Sequence, residues 1–205
     1  AAVGGLVRQV SLTNLSDENR EMELIDGLPS LFPSGVPNAA YKELGNTIKS
    51  WFDVKNLENH IPFYQLRGSI EDTSEVKEIH QGNFYASFYR DSKKRESLVK
   101  PIIDREIIFG TDTSLHVPRA FMKNPLNTLV EQPQQTTNKV SAGFSWAIDT
   151  LASQETLEFH TVIGYAKNVE YVQTYVKETL SIAALEKMKE QAKTITKPIT
   201  SKIST

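Results

Sequence analysis

The chain has 205 residues, 39% hydrophobic and 23% charged, with 23 Lys+Arg against 25 Asp+Glu and no cysteine. That is ordinary composition for one self-sufficient globular domain, long enough to bury a core without a disulfide or a structural metal. A net charge of −2 provides no global field for nucleic acid or an anionic membrane, and the missing thiols exclude disulfides, thiolate metal sites and cysteine catalysis.

The start, Ala1-Ala2-Val3-Gly4-Gly5-Leu6, has neither a basic region nor a long apolar run, so no signal peptide is expected. Without an initiating Met the chain reads as a processed or excised piece. No apolar run approaches the roughly 18–20 residues of a membrane span. The absence of cysteine fits a cytoplasmic setting.

Along the chain, Leu6–Leu15 and Glu21–Ile25 read as strands joined by a polar turn at Asn14–Asn19. Asn38–Phe52 reads as a helix: Asn38 can cap it, and Tyr41, Leu44, Ile48 and Trp51/Phe52 follow helical spacing. Gly45 weakens it by about 1 kcal/mol relative to Ala. Phe63–Ile70, Glu75–Ile79 and Asn83–Tyr89 read as strands, with His80-Gln81-Gly82-Asn83 as a hairpin loop between the last two. Glu106–Phe109 reads as a short strand. Ala120–Val130 has helical character limited by Pro125, and Glu131–Lys139 reads as an exposed polar connection.

Val140–Ile148 alternates Val140, Ala142, Phe144, Trp146 and Ile148 with Ser141, Gly143, Ser145 and Ala147, as a half-buried strand should. Gly143 marks a bulge or a close backbone approach. In Leu157–Ala166, Leu157, Phe159, Thr161 and Ile163 share one face, and Glu158 and His160 the other. These two segments are expected to pair as antiparallel neighbours across the turn at Ala152-Ser153-Gln154. From Val169 to about Thr194 a helix is expected, capped by Asn168, with Val169, Val172, Val176, Leu180 and Ala183 as its apolar stripe. Thr194–Thr205 reads as a solvated tail.

These elements predict a mainly β fold: an antiparallel, supersandwich-like β-sandwich with a short internal helix and a long C-terminal linker helix. The expected division is a sandwich over residues 1–167 and a linker helix with tail over 168–205.

The sequence offers no catalytic, cofactor-binding or metal-ligating residue. His60, His80, His116 and His160 are scattered, with no local zinc spacing. His160 falls on the polar strand face and His80 in a loop, where a histidine is usually just solvated. The carboxylates Asp17-Glu18, Glu71-Asp72 with Glu75, and Asp104 with Glu106 are adjacent in sequence, which does not make them converge across a cleft. No phosphate-binding Gly-rich loop and no Gly-x-Ser-x-Gly elbow occurs. Arg90-Asp91-Ser92-Lys93-Lys94-Arg95 has no interleaved aromatics and reads as a charged hairpin tip, not a nucleic-acid site. Trp51, Phe52, Phe63, Tyr64, Phe84, Tyr85, Phe88 and Tyr89 could stack on sugars, but most are expected in the core.

Several stretches resemble the β-sandwich region of bacterial glycoside phosphorylases of glycoside hydrolase family 94, the cellobiose and β-1,2-oligoglucan phosphorylases and their relatives. They are Leu12-Thr13-Asn14-Leu15-Ser16 with Met22-Glu23-Leu24-Ile25-Asp26-Gly27-Leu28-Pro29, then Pro33-Ser34-Gly35-Val36 and Thr47-Ile48-Lys49-Ser50-Trp51-Phe52. Pro62-Phe63-Tyr64-Gln65-Leu66-Arg67, Glu71-Asp72-Thr73-Ser74-Glu75-Val76 and Gly82-Asn83-Phe84-Tyr85 complete the pattern, over about residues 10–110. The resemblance implies a sandwich leading through linker helices into a catalytic (α/α)6 barrel that holds the general acid and the phosphate site. It therefore implies a non-catalytic domain of a carbohydrate-active enzyme that transfers glucosyl units between β-glucan and phosphate, with no cofactor. Asp26-Gly27-Leu28-Pro29 is expected to be a structural turn. The partners it implies are the barrel, a β-glucan oligosaccharide and a second copy of the chain. The alternatives are a stand-alone carbohydrate-binding module and a structural dimerisation domain.

Overall fold

A computed structural model describes residues 3–69 and 78–200. In chain order it begins with β1 (Gly5–Thr13), β2 (Arg20–Leu31), α1 (Asn38–Leu44), α2 (Asn46–Lys49), β3 (Phe52–Lys55) and β4 (Phe63–Leu66). Next come β5 (Gly82–Arg90), β6 (Glu96–Leu98), α3 (Arg105–Phe109), α4 (Arg119–Lys123) and α5 (Leu126–Val130). It closes with β7 (Ser141–Leu151), β8 (Thr156–Ala166), α6 (Val169–Glu178) and α7 (Ile182–Thr200). Glu71, Asp72, Glu75 and most of the strand expected at Glu75–Ile79 lie outside the described residues.

The fold is mainly β and antiparallel. One sheet runs β1-β8-β5-β4-β3, with β6 beside the end of β5, and a second is the ribbon β2-β7. The two sheets share a core. Val10, Leu12, Met22, Leu24, Ala147, Leu151, Leu157 and Phe159 form one cluster between them, and Leu31, Tyr64, Tyr85 and Ile103 another. Two buried tyrosines stitch the layers: Tyr64 Oη donates to the Ala142 carbonyl at 2.7 Å, and Tyr85 Oη lies 2.6 Å from Ser145 Oγ. Burial pushes both phenols above the ordinary tyrosine value, so they stay protonated and able to donate.

The far face of the large sheet carries Phe84, Ala86, Phe88, Val162 and Ala166, covered by Val172, Val176, Leu180, Ile182 and Leu185 of the C-terminal helices. Each Val, Leu, Ile or Phe side chain among them contributes about 1.5–3 kcal/mol when fully buried. The apolar stripe of α6 is thus satisfied by its own sheet.

β7 and β8 do not pair with each other. β7 pairs with β2, and β8 pairs with β1 and β5. The connection at Ala152–Glu155 is a corner between layers. Asn14, buried at the matching corner, donates from Nδ2 to the Leu151 and Glu18 carbonyls, and its backbone bonds Gln154 and Glu155. β7 is half-buried only in its second part, where Ala147 and Leu151 are buried and Ile148 is exposed; Ser141–Ser145 are buried on both faces, with α3 and α5 packed on the outer one.

Asp26-Gly27-Leu28-Pro29 is not a turn. β2 continues through it to Leu31, and its register against β7 shifts between Leu28 and Leu31, where Pro29 cannot donate to the ladder. Gly27, at φ +154, lies so close to β7 that a Cβ there would overlap the Gly143 carbonyl.

The expected helix Asn38–Phe52 divides at Gly45 (φ 53) into α1 and α2, and Phe52 opens a strand. Pro37, not Asn38, holds the cap position. The expected strand at Glu106–Phe109 is the helix α3. Asp104 caps it by accepting from the Glu106 amide at 3.1 Å, and Gly110 (φ 60) ends it. Pro125 separates α4 from α5. The expected single C-terminal helix is two: the Ser181 hydroxyl accepts from the Ala184 amide at 3.1 Å and restarts the chain as α7. α7 then continues to Thr200, through much of the expected tail.

Candidate functional site

The topology assembles a polar junction where β8 and β5 pass under α7. Glu158 and His160 sit two apart on β8, and so on one face. Arg90 closes β5, and Glu186 comes from the second turn of α7. Arg90 Nη1 lies 3.0 Å from Glu158 and 3.3 Å from Glu186, and its Nη2 lies 2.9 Å from Glu96. His160 Nε2 is 3.4 Å from Glu158 Oε2, and the ring is 2% exposed. His160 is therefore not solvated as its strand face suggested, because α7 covers that face.

Burial alone would push the Glu158 carboxyl up. The His160 ring and the Arg90 guanidinium outweigh it and hold the group below its ordinary value. Glu158, His160 and Glu186 bring ligand atoms within 4.8 Å of one another, the donor set of a three-ligand divalent metal centre. Arg90, however, already sets a positive charge between the two carboxylates, and a metal ion would have to displace it. The junction as built is an ion-paired latch that ties α7 to the sheet.

Beside the junction lies a cleft of about 770 Å³ between α7 and β1. Val162, Tyr175, Leu185 and Met188 give it an apolar floor, and Lys189 and Lys193 stand on its rim. A second depression, about 730 Å³, lies over the β5–β6 turn and carries Glu21, Glu23, Asp91, Asp149 and Glu155 with Lys93 and Arg95. Asp91 is bound to Arg95 at 2.6 Å, and Asp149 accepts from Tyr89 at 2.5 Å. The Arg90–Arg95 segment is thus a charged turn between paired strands, as its sequence predicts.

The remaining candidates are dispersed. His60 holds a left-handed position (φ 62), with Nδ1 3.2 Å from the Leu98 carbonyl. His80 and His116 are exposed, as are Asp17 and Glu18. Asp104 and Glu106 do converge, but on a lysine: Lys139 Nζ lies 2.6 Å from the first and 3.5 Å from the second. Of the aromatic candidates, Phe52, Phe63, Tyr64, Phe84, Tyr85 and Phe88 are buried. Two aromatics outside that group form a parallel pair. The Tyr171 and Tyr175 rings on α6 are 6.3 Å apart at 5°, with Lys167 Nζ 5.1 Å from the Tyr171 ring centre.

The sequence pairs Glu158 with His160 by strand alternation. Nothing in it places Arg90 or Glu186 there, because those contacts depend on which strand α7 crosses. Among the described residues no helix is long and apolar enough to cross a membrane. No protein-family model matches the chain, and no curated protein matches it.

Proposed function

We propose that the chain is a non-catalytic β-rich domain of a carbohydrate-active enzyme resembling the inverting glycoside phosphorylases. Its work is scaffolding: it packs against a catalytic helical barrel and walls one side of the barrel's glucan cleft. One observation carries the reading. The described residues behind the resemblance serve the fold. Asn14 ties two corners together, Gly27 lets β2 close up on β7, and Tyr64 and Tyr85 bond the layers. Phe63, Leu66 and Phe84 are core, and Arg67 donates to the Ser50 carbonyl. In inverting phosphorolysis phosphate is itself the attacking group, so one protein acid suffices, and on this reading that acid belongs to the barrel.

The test is phosphate-dependent release of glucose 1-phosphate from β-1,2- and β-1,4-gluco-oligosaccharides. It compares this chain with the longer, barrel-containing product that this reading requires. No turnover by the chain and turnover by the longer product is the expected result. Turnover by the chain alone, or a longer product lacking a helical region, overturns it.

A second reading, a sugar-binding module, is favoured by the parallel Tyr171 and Tyr175 rings, since such faces stack on sugar rings. It requires the chain alone to bind those oligosaccharides, and no binding at millimolar ligand removes it. The dimerisation reading loses its main motive, because the stripe that called for a partner packs on its own sheet.

A further inference from the structure

The two ends of the six-stranded sheet are finished differently. At β3 the loop before β7 closes the edge: the Val54 amide donates to the Thr136 carbonyl at 2.8 Å and the Asn138 amide to Phe52 at 3.0 Å. At β1 nothing among the described residues pairs with the outer edge. The register fixes which groups are left over. The Tyr165 amide donates to Gly4 and the Asn14 amide to Glu155, so the even-numbered residues from Gly4 to Asn14 bond β8. The amides and carbonyls of Gly5, Val7, Gln9, Ser11 and Thr13 therefore point outward, two residues apart.

Edges left open are usually guarded by charge, by Pro or by a bulge. The β2 edge has such guards in Arg20, Glu21, Glu23 and Pro29. β1 has a single charge, Arg8, and it is drawn off by Asp26 at 2.6 Å. Leu6 is 71% exposed and Val7 45%. Their side chains point to opposite faces, yet both line the 770 Å³ cleft against α7. The cleft thus wraps around the strand edge. A free edge beside a helix-walled apolar groove is the geometry of strand addition, in which backbone bonds supply affinity and alternate side chains fill the groove.

We propose that this groove binds an extended segment of another polypeptide, which adds antiparallel to β1. The periodic backbone donors and acceptors call for a strand; a sugar or a lipid tail cannot match them. Charge selects its composition. Glu186 is already paired with Arg90 and Lys193 with Glu190 at 2.6 Å, whereas the hydrogen bond of Lys189 goes to the neutral Gln9 amide oxygen, at 2.9 Å. The bound strand therefore alternates apolar residues facing the cleft with acidic or polar ones, and places a carboxylate by Lys189. This inference does not depend on the enzyme reading.

The probe is a capped peptide of about eight residues, the length of a common strand, in which valine alternates with glutamate and threonine. It is titrated into the whole chain while backbone amides are followed by NMR. Binding is expected to shift and protect the Val7, Gln9 and Ser11 amides. N-methylation of the peptide amides that face β1 is expected to weaken binding at least about tenfold. Methylation of the alternate set is expected to change it by no more than about twofold. A lysine-for-glutamate peptide should also bind about tenfold more weakly. Because these controls lie in the peptide, they do not depend on how a protein variant folds. Four results overturn the proposal: no binding at millimolar peptide, equal loss from both methylated sets, equal binding of the lysine peptide, or an outer edge already protected by self-association of the chain.

Discussion

Replacing Gly27 with Ala tests whether the Asp-Gly-Leu-Pro segment is built for close packing. Two costs fall on it. The backbone is at φ +154, where an L side chain is strained, at about 1–3 kcal/mol. The new Cβ also overlaps the Gly143 carbonyl and comes within 2.8 Å of Phe144 Cα, both backbone atoms of a strand held on its other side by Ile102 and Ile103. Overpacking against atoms that cannot rotate away adds about 1–3 kcal/mol. The expected loss is about 2–6 kcal/mol. In urea, with a slope of about 2–3 kcal/mol per molar, the midpoint should fall by about 1–3 M with the slope unchanged. Two controls bracket it. Gly35→Ala has φ +83 but open space, so it pays only the backbone cost, about 1–2 kcal/mol. Gly68→Ala has neither constraint and should be close to neutral. If Gly27→Ala behaves like Gly68→Ala, the close approach of β2 to β7 is wrong, and with it the structural role given to the motif.

Three further outcomes are expected. Lys139→Met leaves the 10%-exposed Asp104 carboxylate without its cation and should cost about 3 kcal/mol. The double variant with Asp104→Asn should recover part of that, and strict additivity of the two losses in urea midpoints would refute the pairing. Burial raises the Asp26 carboxyl, with Arg8 opposing, and Oδ2 has no hydrogen-bond partner among the described residues. The ionised form is therefore disfavoured in the fold, so its contribution to stability is largest below the ordinary value of 3.8 and declines as pH rises through the raised one. Asp26→Asn should remove that decline, and an unchanged urea-midpoint profile from acid to neutral pH would contradict it. Glu158 is shifted the other way. Its pairing stabilises the fold above the ordinary 4.5 and is lost as pH falls through the lowered value. Amide exchange at Leu185–Met188, corrected for intrinsic rate, should accelerate in that acid range. Glu158→Gln should abolish the acceleration, and acceleration that persists in the variant would refute the latch.

Periodicity made the long strands legible. Val10 and Leu12, or Leu157 and Phe159, alternate as one-sided strands should, and they face the shared core. Periodicity says nothing about which sheet a strand joins. Two long strands separated by Ala152–Glu155 look like a hairpin, and what sends them to different sheets is Asn14, a buried side chain 137 residues from the Leu151 carbonyl it binds. Short elements were hidden for a different reason. In Ile107-Ile108-Phe109 all three side chains are buried, so no alternation exists to separate strand from helix, and the Asp104 cap and Gly110 stop were the only available signal. β3 and β6, four and three residues long, are too short to show a period. The restart of the C-terminal helix was written in Ser181, an N-cap residue inside an otherwise continuous pattern. Half of the polar junction was visible as Glu158 and His160. The rest depended on Arg90 and Glu186 meeting there, which sequence separation conceals.

On the proposed function, this domain supports chemistry without performing it. The sharpest check uses the best-placed carboxylate in the described chain, in the longer, barrel-containing protein that the proposed function requires. Glu158→Gln, assayed for phosphate-dependent release of glucose 1-phosphate at neutral pH, should keep kcat within about threefold of the parent. Loss of a general acid or base would instead cost about 10²–10⁴. A fall of that size in a folded variant, or no phosphorolysis by the parent itself, would contradict the account.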